Sequence, residues 1–329
     1  MGAEERNLKK HLQQSENTEL RKLAQKNKAT REPRELLPLT NCVTGLVIAS
    51  GPRSCLVRLN GVDLRCRSQV PVAVGDRVRF SEEMARVESV LPRATVLSRP
   101  DPHNPRMPLV IAANVDFVVN VVSLQSPPLR LGLIDRYLVA IERSGARPLI
   151  CVNKIDLQDQ REAFQPYLDM GVSVIFCSAA SGAGLDELRS ALAGKMSVFT
   201  GHSGVGKSSL LNALDPAQSA ATGDVSTAHN RGRHTTTSSR LYDMPDGGII
   251  IDTPGIRELG LWDVSPADLR LYFHDFDEFA CECAFSDCTH THEPRCAVKA
   301  ALITGEFPQA RYDSYLRIIA SAAAGAVPP

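Results

Sequence analysis

Residues 197–211 read Ser197-Val-Phe-Thr-Gly-His-Ser-Gly-Val-Gly-Lys-Ser-Ser-Leu-Leu211. Val198 and Phe199 form a short apolar run into the glycine-rich loop, and Leu210 and Leu211 open an apolar helix. Strand, glycine-rich loop and helix together are the context a phosphate-binding loop requires. Gly201, Gly204 and Gly206 let the backbone turn tightly, so that successive N–H groups can face phosphate oxygens. The helix N-terminus adds partial positive charge. Lys207 is expected to reach the β- and γ-phosphates, and the Ser208 hydroxyl to ligate Mg²⁺. The whole loop, with His202, Ser203, Val205 and Ser209, is the predicted nucleotide contact.

A chain of 329 residues is too long for a single core, so two or three domains are expected. No apolar run approaches a membrane span, and Met1-Gly-Ala-Glu-Glu-Arg6 is too polar for a signal peptide. Arg6 also breaks the myristoylation pattern. A cytoplasmic protein with no membrane partner is expected. The nine cysteines are then thiols or metal ligands rather than disulfides. Lys plus Arg and Asp plus Glu both number 37, so a nucleic-acid partner must be held by local basic patches.

Residues 1–38 are polar, and basic from Arg21 to Arg34; they read as a flexible tail, either solvated or an arm that contacts RNA. Five short β-rich runs follow within 39–95, punctuated by Gly51-Pro52, Asn60-Gly61 and Gly75-Asp76, which suits an OB-type barrel. Such barrels often bind RNA, although a purely structural β-domain has the same spacing. Pro92 to Pro108 reads as a proline-rich connection. Over 96–260 apolar strands alternate with helical stretches, which predicts an α/β fold with a doubly wound, mostly parallel sheet and ligands at the carboxyl ends of its strands. Residues 261–329 carry a Cys/His-rich segment, an apolar helical stretch near 312–320 and an Ala/Gly/Pro tail.

Asn153-Lys-Ile-Asp156 closes one apolar strand. A carboxylate there can accept hydrogen bonds from guanine N1–H and its exocyclic amine. Adenine offers neither, and leaving a buried Asp156 unpaired would reject it. Asn153 and Lys154 would brace the loop and pack over the base, with Ile155 between. Ser178 and Ala179, after the next strand, could present an N–H to guanine O6. Asp252-Thr-Pro-Gly255 closes another apolar strand: Asp252 would hold Mg²⁺ through water, and the Gly255 N–H would reach the γ-phosphate. Upstream, Arg231-Gly-Arg-His-Thr-Thr-Thr237 has the makings of a switch loop, with Thr236 the first choice to close over Mg²⁺ and Thr235 and Thr237 open. Ile256 stands where a water-positioning glutamine often lies, which makes His234 the polar candidate for catalysis. Cys283, Cys288, His290 and Cys296 can satisfy a closed tetrahedral Zn²⁺ site, with Cys281 and His292 as competing ligands.

The order of these parts places Asn153–Asp156 before the phosphate loop and Asp252–Gly255 after it. That order resembles the circularly permuted GTPases. With the barrel before it and the Cys/His cluster behind it, the chain resembles the ribosome small subunit-dependent GTPases, over nearly everything from Asn41 to the last helix. The resemblance implies GTP hydrolysis to GDP and phosphate, stimulated by the small ribosomal subunit and serving its late assembly, with that subunit and its rRNA as partners. It implies Mg²⁺ with GTP, and one structural zinc on the Cys-x₄-Cys-x-His-x₅-Cys set above. It also implies the catalytic role for His234. A monomer is expected. The competing readings are an RNA-binding scaffold in which GTP is only structural, and a nucleotide-dependent kinase, which Asn153 and Asp156 argue against.

Overall fold

The structure is a computed structural model that describes residues 42–101, 104, 107–215, 240–252 and 264–323. The tail 1–38, His234, Thr235 to Thr237, Gly255 and Ile256 lie outside the described residues, as does the Asp252 side chain.

Five strands, β1 (Cys42–Ser50), β2 (Ser54–Leu59), β3 (Val62–Ser68), β4 (Arg77–Ser81) and β5 (Arg86–Val90), run in the order β1-β2-β3-β5-β4. β4 pairs back onto β1, so the barrel is closed. Alternation turns Val47, Cys55, Val57, Cys66, Val78, Phe80 and Val87 inward as its core. Asn60 and Gly61 both adopt positive φ, as a two-residue turn between β2 and β3 requires. The carboxylate of Asp76 is fully buried, yet it accepts from Ala73 N–H at 2.8 Å and from Arg93 Nε and Nη2 at 2.7 and 2.8 Å. This fork ties the barrel to the segment that follows it.

That segment is not a bare connection. β6 (Val96–Pro100) and β7 (Pro108–Ala113) form an antiparallel hairpin whose Leu97 and Ala112 join the core under the next domain. The prolines suggested a linker, but Pro100 and Pro108 face each other at the end of the ladder, where a missing N–H costs least.

The second sheet has the order β10-β9-β8-β11-β13-β12, formed by β8 (Phe117–Ser123), β9 (Arg147–Asn153), β10 (Ser173–Phe176), β11 (Met196–Thr200), β12 (Arg240–Asp243) and β13 (Ile249–Asp252). All neighbours are parallel except β12 and β13. β12 also meets β1 at Ala49↔Arg240, which joins barrel and sheet. Helix α1 (Leu131–Arg143) packs Tyr137 and Ile141 with Val118 and Val198 on one face. On the other face lie α3 (Leu185–Leu192) and α4 (Lys207–Leu214), packed with Val119, Val121, Phe199 and Ile250. Between α1 and α3 in the chain lie a 3₁₀ turn (Arg161–Phe164) and the short α2 (Gln165–Asp169), split because Pro166 cannot continue an incoming hydrogen-bond ladder.

The C-terminal module holds α5 (Asp277–Ala280), α6 (Ala297–Thr304) and α7 (Gln309–Ala323) around Leu269, Phe273, Phe276 and Tyr315. It is fastened to α1 by Arg311, which donates to Asp135 and to Asp275 at 2.7 Å and lies 4.3 Å over the Phe273 ring. Among the described residues no helix is long and apolar enough to cross a membrane.

Candidate functional site

The loops after β9, β10 and β11 meet at the carboxyl edge of the sheet. Gly201 has φ +135° and lies so close to β8 that a Cβ would stand 2.2 Å from the Val121 carbonyl oxygen. Gly206 has φ +96° and caps α4. A Cβ there would fall 2.3 Å from Asn153 Nδ2, so the glycine admits the asparagine. Asn153 is buried and braces two loops at once: its Nδ2 donates to the Val205 carbonyl at 2.9 Å, and its Oδ1 accepts from Ala179 N–H at 3.1 Å. Lys154, at φ +66°, donates from Nζ to the carbonyls of Gly204 (2.8 Å) and Ser126.

Ser178 donates from Oγ to Asp156 Oδ1 and accepts from Ser181 N–H at 3.1 Å. Ile155 N–H bonds the Cys177 carbonyl at 3.3 Å. Asp156 itself is exposed, contrary to the buried position expected for it; Ser178 orients its carboxylate from beneath while the outer side faces solvent. Burial of this carboxylate therefore requires a base laid over it.

Lys207 Nζ donates to the carbonyls of Gly201 and His202 at 2.6 and 2.8 Å, which holds the ammonium inside the loop's curve. His202 Nδ1 lies 2.8 Å from the Ser203 carbonyl. His202, Ser203, Gly204, Ser208 and Ser209 face a cleft of about 1130 Å³. β13 runs parallel beside β11, and Asp252 ends it at the same edge of the sheet. The cleft's other wall comes from α1 and α7 and includes Arg130, Arg136, Ser314 and Arg317. Sequence reasoning assigned these four nothing, because no local motif links residues so far apart in the chain.

A second constellation lies in the C-terminal module. Cys283, Cys288, His290 and Cys296 bring their Sγ and nitrogen atoms within 4.8 Å of one another. Cys283 Sγ is 3.9 Å from Cys296 Sγ and 3.6 Å from His290 Nδ1, and His290 Nδ1 is 3.4 Å from Cys296 Sγ. A zinc-sized ion held tetrahedrally sets about 3.8 Å between sulfurs and about 3.6 Å from sulfur to nitrogen, so these residues fit a metal. Cys281 is exposed and turns to the Glu278 carbonyl, and His292 is also exposed; neither joins the group. The backbone around the cluster is fixed from outside. Tyr312 and Tyr315 donate to the His290 and Thr289 carbonyls, both at 2.6 Å. Glu293 accepts from Thr289 N–H, Thr289 Oγ1 and Thr291 N–H. Burial raises the Glu293 pKa, but these bonds outweigh it and hold the group at about 2.

A phosphate loop that follows the Asn153–Asp156 loop in sequence, a closed five-stranded barrel before them and a Cys₃His group behind them define a circularly permuted GTPase. The sequence model of the RsgA GTPase family matches residues 90–262. The chain is 43% identical over 243 residues to the small ribosomal subunit biogenesis GTPase RsgA 1 of Vibrio vulnificus strain YJ016, across 72% of this chain and 68% of that protein. Among solved structures it resembles YjeQ from Thermotoga maritima, with TM-score 0.69 and 31% identity over 86% of this chain and 99% of that one. It also resembles YloQ, described as a circularly permuted GTPase, with TM-score 0.68 and 28% identity over 91% of this chain and all of that one. The chain belongs to the RsgA GTPase family and is a GTP hydrolase.

Proposed function

We propose that the protein binds the small ribosomal subunit through its rRNA and hydrolyses GTP to GDP and phosphate as part of that subunit's late maturation. The observation that carries this reading is Asn153, which ties the phosphate loop to the Ala179 loop and leaves Asp156 open beside them. The relatives' role in small-subunit biogenesis supplies the partner. Asp156 accepts from guanine, Lys154 packs over the base, and Ser178 and Ala179 border it. Gly201 to Ser209 wrap the phosphates with backbone N–H groups. Ser208, Thr236 and Asp252 would hold Mg²⁺, which screens the phosphate charge when bound. Gly255 donates to the γ-phosphate, and His234 positions the attacking water. Cys283, Cys288, His290 and Cys296 would hold one structural zinc. The protein acts as a cytoplasmic monomer, with a tail over 1–38, a barrel over 39–95, the GTPase domain over 96–260 and the metal module beyond.

GTP turnover measured with and without purified small subunits tests the reading. Turnover should rise steeply with subunits, since supplying a missing transition-state group in trans is worth about 10³–10⁵ in rate. His234→Ala should keep GTP affinity and lose most of that stimulation. Equal turnover with and without subunits would favour the scaffold reading instead.

A further inference from the structure

The cleft beside the phosphate loop extends along the seam between α1 and α7. The helices approach closely: a Cβ on Gly132 would stand 3.4 Å from Arg317 Nη2 and 3.6 Å from Ser314 Oγ. Arg130, Arg136, Lys154, Lys207 and Arg317 line the cleft, and among the described residues no Asp or Glu does. A magnesium-bound nucleoside triphosphate carries a net charge of about −2. Five cations are more than it neutralises, and only Lys154 and Lys207 belong to the nucleotide loops.

Among the described residues, two donors in this wall find no acceptor. Arg136 Nη2 and Ser314 Oγ are buried, and no described residue hydrogen-bonds either. Ser314 is 1% exposed, and among the described residues the other arm of Arg136 reaches Ser321 Oγ at 3.5 Å. Arg136 is half-buried, and burial pushes its pKa down with only Tyr137 opposing the shift. A water molecule could satisfy the serine but would leave the guanidinium charge uncompensated. An oxyanion with several acceptor atoms answers both donors and the charge.

We propose that the α1–α7 seam is a second oxyanion site, built by Arg136, Ser314 and Arg317, that takes the inorganic phosphate cleaved from GTP before it leaves the protein. The inference rests on the GTPase activity. In that reaction the oxygen of water bonds to the γ-phosphorus, and the bond from that phosphorus to the β–γ bridging oxygen breaks. GDP, hydrogen phosphate and one proton result. The phosphate loop and these donors line one continuous cleft, so a phosphate leaving the loop on this side meets them without first crossing bulk solvent. An RNA backbone phosphate shares the chemistry, but it would have to bring a polymer into a cleft already shared with the nucleotide. Since α7 belongs to the metal module, departure of phosphate is felt directly by that module.

The test loads the full-length protein with GDP and Mg²⁺ and titrates inorganic phosphate, read by ³¹P line broadening or calorimetry. Wild type should bind phosphate, Arg317→Gln should bind it at least about tenfold more weakly, and Ser314→Ala several-fold more weakly. In single turnovers followed with a phosphate sensor, Arg317→Gln should shorten the lag between hydrolysis and release. Failure to bind GDP would overturn the GTPase reading itself. GDP binding without phosphate binding, or phosphate binding equal in wild type and both variants, would overturn only the second site. A short single-stranded RNA that loses affinity in Arg317→Gln while phosphate does not would also overturn it.

Discussion

The loops proposed to hold the nucleotide, 153–156, 178–179 and 201–209, lie behind three parallel strands, while the Cys/His cluster that could hold a metal takes all four of its groups from Cys283 to Cys296, thirteen positions apart. In the first, sheet register sets the separations: Phe176↔Val152 and Val198↔Val118 fix where the loops emerge, and Asn153 locks them together. In the second, no strand or helix lies between the ligand positions, and the loop bends through positive φ at His290 and Arg295. A site hung on a sheet keeps its geometry from burial elsewhere. A site made of one loop depends on whatever it encloses, helped here by two tyrosine hydroxyls and Glu293. The two regions should therefore fail in different ways.

The largest expected effect is at the cluster. Chelation, or Cys288→Ser, should unfold the C-terminal module while GDP still protects the sheet. Structural zinc supplies about 10–16 kcal/mol in finger peptides, more than a module of this size holds in reserve. Near-ultraviolet dichroism would follow the Phe273, Phe276 and Tyr315 packing, and elemental analysis the metal. A module that keeps both after chelation would erase the contrast.

Next in size is Asn153→Ala. It strands the Val205 carbonyl and the Ala179 N–H near buried surroundings, at a cost of about 2–4 kcal/mol by ordinary hydrogen-bond values. The sheet should stay folded, with a lower Tm and GDP affinity reduced about ten- to a hundredfold. A change in Tm alone, with GDP affinity intact, would mean that the brace serves the fold and not the ligand.

The smallest effect lies where the two regions touch. His274 Nε2 meets Glu142 of α1, and that hydrogen bond is the main reason its pKa lies above the ordinary histidine value; slight burial opposes it and Asp277 adds to it. A raised pKa means stability that is full below the unfolded value of about 6.5 and lost as pH rises through the folded one. The ring is mostly exposed, so the contribution stays below about 1 kcal/mol. Between pH 6 and 8 wild type should lose slightly more Tm than Glu142→Gln. Identical pH profiles would leave the Arg311 fork as the principal polar tie between the regions.

The amino-acid sequence by itself determined the phosphate loop, the permuted order of the loops, the barrel and the Cys/His-rich segment, while the structure set Cys281 and His292 apart from its four-residue group. Each is local: a glycine pattern, a strand-end tetrapeptide, period-two alternation or a short Cys/His spacing encodes its own chemistry within a few residues. The tertiary structure alone decided that the segment between Pro92 and Pro108 pairs as a hairpin, because a proline's effect depends on which edge of a ladder it faces. It alone decided that Asp156 is open to solvent and that Asn153 reaches Val205, fifty-two positions away. It alone brought Arg136 against the helix carrying Ser314 and Arg317; the Arg136–Ser321 contact spans 185 positions. No pattern in the chain encodes that meeting, because it follows from how α7 packs on α1 once the aromatic core of the metal module and the Arg311 fork have fixed the angle between them.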